Sequence, residues 1–194
     1  MTTYDSSTAL LVVDVQNDFS DPEGSLYVRG GEEILERANG EIRQAAEAGA
    51  LVIYTQDWHP PSTPHFQKDG GIWPVHCVRD TWGAEFVPGL DVGGPVIRKG
   101  TGGEDGYSGF SVRDPESGER SATELEKELR SRDIRRVVIA GLATDYCVVE
   151  TVLDATHLGF ETAVLRDAIR AVDLQPGDGD RAIERMRDAG AAIT

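Results

Sequence analysis

Short apolar runs rich in β-branched residues recur along this chain, and segments with helical spacing lie between most of them. The runs are ALLVVDV (9–15), ALVIYTQ (50–56), PVIRKG (95–100), RRVVIAG (135–141), ETAVLRDA (161–168) and AAIT (191–194). The helical segments are GGEEILERANGEIRQAAEAG (30–49), TELEKELRSRD (123–133), CVVETVLDATHLG (147–159) and DRAIERMRDAG (180–190). In the first of these, Ile34, Leu35, Ala38, Ile42, Ala45 and Ala46 follow the helical period, and Gly49 supplies a stop. Runs this apolar are buried on both faces, which means a parallel sheet covered by helices on both sides. The expectation is therefore an α/β fold with a six-stranded parallel sheet, spanning 1–194 as a single domain. At 194 residues the chain buries a real core without disulfide or metal staples.

In an open parallel sheet, ligands bind beyond the carboxyl ends of the strands. The residues expected there are polar and reactive. The first run presents Asp14, the second Asp57 and His59, the third Lys99. The fourth runs through GLATDYC to Cys147 at the start of a helical segment. A helix N-terminus lowers a thiol pKa and so favours a nucleophilic thiolate. The competing reading of Cys147 is a small buried apolar residue. Asp14, inside an apolar run, is costly to bury unpaired. It reads either as a general base for the thiol or as a structural ion pair. Lys99 reads as the partner of Asp14 or as a solvated strand end.

The chain holds only four histidines. His59 and His65 lie in TQDWHPPSTPHF (55–66), His76 follows in WPVHC, and His157 falls on a helical segment as a packing or surface residue. In an extended backbone Asp57 and His59, two apart, point the same way. Pro60, Pro61 and Pro64 bend the chain so that His65 returns, and His76 can close the set. Imidazoles with one carboxylate suit Zn, Fe or Mn; the alternative is solvated loop histidines. The Pro- and Gly-rich stretch from His59 to Gly94 is too long for a plain connector, which favours function there. Phe19 and Trp73 are candidates to flank a flat ring.

The formal charge of −15, from 19 basic and 34 acidic residues, excludes nucleic acid and anionic membrane as partners. Met1 opens on TTYDSST, without the basic start or apolar core of a signal peptide, and no run approaches a membrane span. With only Cys77 and Cys147, no disulfide framework is expected, so a reducing cytoplasm is the default. A homo-oligomer remains open.

In this order, VVDVQNDF, TQDWHPPSTPHF, WPVHC, RKG, YSGF and GLATDYCVVETVLDA resemble the nicotinamidase/pyrazinamidase branch of the isochorismatase-like cysteine hydrolases. The resemblance runs from about Ala9 to the last helix. It implies the isochorismatase-like hydrolase fold, a catalytic triad of Asp14, Lys99 and Cys147, and one divalent metal, zinc first with iron or manganese next, held by Asp57, His59, His76 and, at a position that varies among members, His65. It also implies a cis peptide between Leu142 and Ala143, an oxyanion hole from the Ala143 and Cys147 N–H groups, and a pocket lined by Phe19, Trp73, Tyr107 and Ala143. The implied activity is hydrolysis of nicotinamide to nicotinate and ammonia, and of pyrazinamide likewise, through a Cys thioester, with a place in NAD salvage. The alternatives are a related hydrolase of N-carbamoyl or ureido compounds, or a metal-binding or redox-sensing protein without turnover. GTGGEDGYSGF (100–110) departs from the pattern in being Gly-rich and acidic between Lys99 and YSGF.

Overall fold

A computed structural model describes residues 3–194. Its strands are β1 (Thr8–Val13), β2 (Leu51–Asp57), β3 (Val96–Lys99), β4 (Ser111–Arg113), β5 (Arg120–Ala122), β6 (Arg136–Leu142), β7 (Glu161–Arg170) and β8 (Ala192–Ile193). The α-helices are α1 (Asn17–Ser20), α2 (Leu35–Glu47), α3 (Leu125–Arg130), α4 (Val149–His157) and α5 (Asp178–Asp188). Six strands form one sheet in the order β3-β2-β1-β6-β7-β8, parallel at every pairing. Strands β4 and β5 form a separate antiparallel pair.

Alternation along β1 divides the core. Ala9, Leu11 and Val13 join the cluster built with Leu125 and Leu129 of α3, Val149 and Val152 of α4 and Ile183 and Met186 of α5. Leu10 and Val12 join the opposite cluster, with Ile42 and Ala45 of α2. Both faces are therefore covered, as a strand apolar on both sides requires.

The order places a topological switch between β1 and β6. The chain steps outward from β1 through β2 to β3, then returns to add β6 on the other side of β1. A crevice opens at the carboxyl ends of such a pair, and here those ends carry Asp14 and the turn leading to Cys147. Gly141 lets the two strands meet so closely. Its φ is +121°, and a Cβ there would overlap the Val13 carbonyl of β1.

Three expectations are corrected by the backbone. The first strand ends at Val13, and Asp14 leaves it with φ 49°, a left-handed conformation uncommon outside glycine. Cys147 does not open an α-helix: it lies in a π-helical turn, Thr144–Val148, that feeds into α4. The helix expected over 123–133 is confined to Leu125–Arg130. His157 is exposed near the end of α4. None of the described helices is long and apolar enough to cross a membrane.

Replacing Gly141 by alanine should cost about 2–6 kcal/mol, combining the positive φ with the overlap against β1. Denaturant unfolding measures this; an unchanged midpoint would show that β1 and β6 tolerate separation.

Candidate active site

Lys99 ends β3 and is buried, with its ammonium reaching across the carboxyl ends of β2 and β1. Its Nζ contacts Asp57 Oδ1 and the Gly106 carbonyl, lies 2.7 Å from Asp14 Oδ2, and stands 3.7 Å from Cys147 Sγ. The strand ends thus bring together two carboxylates, one ammonium and one thiol, all buried.

Thr55 Oγ1 donates to Asp14 Oδ1 at 2.6 Å, while Asp14 Oδ2 receives no aligned hydrogen bond. The Lys99 ammonium approaches Oδ2 at 2.7 Å as a charged pair at hydrogen-bonding distance, and the second lone pair of Oδ2 can still take a proton. Gln16 fixes Asp57 from behind: its Nε2 donates to the Asp57 carbonyl at 2.8 Å and its Oε1 accepts from the Asp57 N–H at 2.8 Å.

Protonation follows from burial and charge. Burial opposes the Lys99 ammonium, but Asp14 and Asp57 outweigh it and hold the pKa well above the ordinary lysine range. Burial would raise Asp57, yet Lys99 and the neighbouring imidazoles hold it below the carboxylate range. Asp14 is raised, because burial and the charge of Asp57 exceed the pull of Lys99. Cys147 is pushed well above the ordinary thiol range, chiefly by burial, against the lowering effect of Lys99. This reverses the expectation of a thiol depressed by a helix terminus, since desolvation disfavours the anion more than the turn favours it.

The three histidines converge. Ring centroids lie 4.9 Å apart for His59 and His65, 5.2 Å for His59 and His76 and 5.4 Å for His65 and His76. One ligand atom from each falls within 4.8 Å of the others. His76 Nδ1 donates to the Pro74 carbonyl at 2.8 Å, since a carbonyl only accepts. Burial pushes the His76 pKa down to about 4, so the ring is neutral. His59 is fully buried, yet neither of its ring nitrogens has a hydrogen-bond partner. Such a group is costly to leave unmet, and a cation held by the imidazoles would satisfy its bare nitrogen. Asp57 Oδ2 lies 3.8 Å from His59 Nε2, so the two-residue spacing does place carboxylate and imidazole on one side. The donor set thus fits a divalent metal. Asp14, Asp57 and Cys147 also cluster, but there the Lys99 ammonium already supplies the positive charge.

Both groups open onto one narrow pocket enclosing about 420 Å³ not filled by atoms, part of it open to solvent. Phe19, Trp73, Tyr107, Ala143, His65, His76, Asp57 and Cys147 line it, with Leu26, Val28, Tyr146 and Val172. Trp73 Nε1 donates to the Tyr107 hydroxyl at 2.8 Å, fixing two aromatic walls. The Leu142–Ala143 peptide is cis. The Ala143 carbonyl accepts from Tyr146 and Val148, the residues on either side of Cys147.

All the residues singled out in the sequence meet here except His157. Several more were not singled out. Thr55 lies beside Val13 in the β1–β2 register, so the pairing itself points to it. Gln16 and Asp18 sit within VVDVQNDF; Asp18 accepts from the Ser25 and Cys77 N–H groups and ties the pocket rim to the His76 segment. Tyr146 directly precedes Cys147. Asp105, 2.7 Å from His65 Nδ1, carries no sequence signal.

Comparison with known proteins identifies the family. A model of the isochorismatase domain matches residues 8–194. The chain belongs to the isochorismatase family, on its nicotinamidase branch. It is 37% identical to the nicotinamidase of Escherichia coli (strain K12), over 95% of this chain and 93% of that one. A pyrazinamidase of Pyrococcus horikoshii, solved in complex with zinc, superposes with a TM-score of 0.86 at 43% identity, covering 97% of this chain and 98% of the other. A protein from L. infantum, solved in complex with nicotinate, gives 0.88 at 35%, covering 100% and 95%.

In metal-free protein, iodoacetamide should label Cys147 slowly at pH 7, and the rate should climb through and beyond the ordinary thiol range. A rate already maximal at pH 7, read by peptide mass spectrometry, contradicts a thiol held protonated by burial.

Proposed function

We propose that this chain is a metal-dependent cysteine amidohydrolase that converts nicotinamide to nicotinate and ammonia, and pyrazinamide to its acid. The observation that carries the reading is one pocket with a reactive end and a ring-binding end. Cys147 Sγ stands 3.7 Å from Lys99 Nζ at one side, and His65 and His76 face the same space. Trp73, Tyr107 and Phe19 supply flat walls for a pyridine ring between them.

The chemistry can be derived from the chain's own groups. The Cys147 thiol gives its proton to the open lone pair of Asp14 Oδ2 as sulfur attacks the carboxamide carbon. Before transfer the site holds one ammonium, two carboxylates and a neutral thiol; afterwards it holds one ammonium, one carboxylate, one thiolate and a neutral acid. Net charge is unchanged, so no uncompensated charge arises in a desolvated site. Lys99 faces both the acceptor and the sulfur throughout. The backbone N–H groups of Ala143 and Cys147 are assigned to the developing oxyanion. Asp14 then returns its proton to the leaving nitrogen, the C–N bond breaks, and ammonia departs from a nicotinoyl thioester. A water enters, loses a proton to Asp14 and attacks the thioester carbon. The C–S bond breaks, Asp14 returns its proton to sulfur, and nicotinic acid leaves, giving its remaining proton to solvent to become nicotinate.

His59, His65, His76 and Asp57 are the residues that would hold the divalent ion, with zinc first and iron or manganese suited to the same donors. When bound, such an ion would supply a Lewis-acidic partner for the ring nitrogen, while Phe19, Trp73 and Tyr107 hold the ring between them. The reduced nucleophile suits a cytoplasmic enzyme, and consumption of nicotinamide suits a role in NAD salvage.

Cys147→Ala should lose about 10⁶-fold in turnover while still taking up metal; near-normal ammonia release would remove the covalent mechanism. Asp14→Asn should lower turnover by about 10²–10⁴-fold and leave nicotinamide binding, measured by calorimetry, nearly intact. Equal loss of both makes Asp14 structural. Stripping the metal should raise KM or abolish activity, and benzamide, which lacks the ring nitrogen, should react far more slowly than nicotinamide. Equal rates for the two amides contradict ring anchoring.

A further inference from the structure

The Gly-rich, acidic segment 100–110 supports His65. Asp105 pairs with Arg113 of β4 through two backbone hydrogen bonds, Asp105 N–H to Arg113 O at 2.7 Å and Arg113 N–H to Asp105 O at 2.9 Å. From that fixed backbone the Asp105 carboxylate places Oδ1 2.7 Å from His65 Nδ1. A second tie lies close by: Thr63 Oγ1 donates to the Gly103 carbonyl at 2.6 Å and accepts from the His65 N–H at 3.2 Å. The proline-bent segment carrying His65 is thus held to the loop at two points.

A carboxylate only accepts, so Nδ1 of His65 carries the hydrogen and donates it. Nε2 is the ring nitrogen left bare. Metal-binding imidazoles are commonly oriented by a carboxylate on their other nitrogen, which fixes tautomer and ring plane and raises the basicity of the ligating atom. We propose that Asp105 is the positioning residue that makes His65 a metal ligand in this chain, by accepting its Nδ1–H and presenting its Nε2 to the ion shared with His59 and His76. The inference rests on the metal reading above and extends it to the support of one ligand.

The same loop contributes the Gly106 carbonyl to Lys99 and the Tyr107 hydroxyl to Trp73. One loop therefore sets the lysine, an aromatic wall and the third imidazole together. Loss of the Asp105 carboxylate should release the imidazole, and with it only the 3.7 Å approach of Asp105 Oδ2 to the exposed Arg113 guanidinium, since the other two contacts come from backbone and from Tyr107.

The test is zinc affinity, measured by competition with a chromophoric chelator, for wild type, Asp105→Ala, Asp105→Asn, His65→Ala and the Asp105→Ala/His65→Ala double variant. Asp105→Ala should bind zinc about 10–100-fold more weakly. Asp105→Asn, whose amide oxygen still accepts from Nδ1, should recover most of that loss. The double variant should bind no more weakly than His65→Ala, because Asp105 acts only through His65. Cobalt(II) loaded in place of zinc should show the same spectral change in Asp105→Ala as in His65→Ala. Should Asp105→Ala fail to fold, Asp105→Ser, too short to reach the ring, takes its place. The proposal is overturned by wild-type affinity in Asp105→Ala, by Asp105→Asn as weak as the alanine variant, by losses that add in the double variant, or by a wild-type chain that takes up no zinc. Ammonia release by zinc-loaded wild type is scored separately, so that failure of the functional reading is not confused with failure of this one.

Discussion

The buried ammonium of Lys99 is the group on which the active site depends. Taking one charged group out of water costs several kcal/mol even after relaxation, and here two carboxylates and one ammonium are buried together. Lys99 stays charged because Asp14 and Asp57 face it, and Asp57 stays ionised because Lys99 faces it. Asp14 is left as the group with the raised pKa, beside a thiol whose pKa is also raised. Lys99 faces both groups, so a proton can pass from sulfur to Asp14 without changing the net charge of the site. The same Asp57 carboxylate turns its other oxygen toward His59, so one side chain joins the proton-transfer cluster to the imidazole cluster.

The sheet makes this arrangement possible. The parallel order puts β1, β2 and β3 side by side with their carboxyl ends aligned, and Asp14, Asp57 and Lys99 project from those three ends. The return to β6 brings Cys147 from the other side of the switch point. Close approach of β1 and β6 needs Gly141, and close approach of the loop after β3 needs Gly100, whose φ is +70° and whose missing Cβ leaves room for the His59 ring. Backbone permissiveness at two glycines is thus converted into side-chain proximity at the site.

Much of this was legible in the sequence, for physical reasons. Six apolar runs with helices between them specify a doubly covered parallel sheet, and that sheet brings its carboxyl ends together whatever the loops do. Histidine is scarce, so three imidazoles in one window stood out. Other features were hidden. The β4–β5 pair consists of short, mostly exposed segments, SVR and RSA, without apolar alternation. The left-handed turn at Asp14 and the π-helical turn at Cys147 carry no local residue signal in the apolar runs around them. The thiol shift depends on burial, which the sequence pattern near a helix start does not report. Asp105 lies 40 positions from His65 in a chain with 34 acidic residues, and nothing local distinguishes it from the rest.

The central claim is that Cys147, protonated at rest, becomes the covalent carrier of the acyl group once its proton passes to Asp14. Metal-loaded enzyme mixed with nicotinamide and quenched within the first turnover tests this directly by peptide mass spectrometry. The account predicts one nicotinoyl group on Cys147, none on Cys77, and none on any residue in Asp14→Asn. Product formed in the first turnover without acylated Cys147, under quench conditions that preserve a thioester, would contradict it.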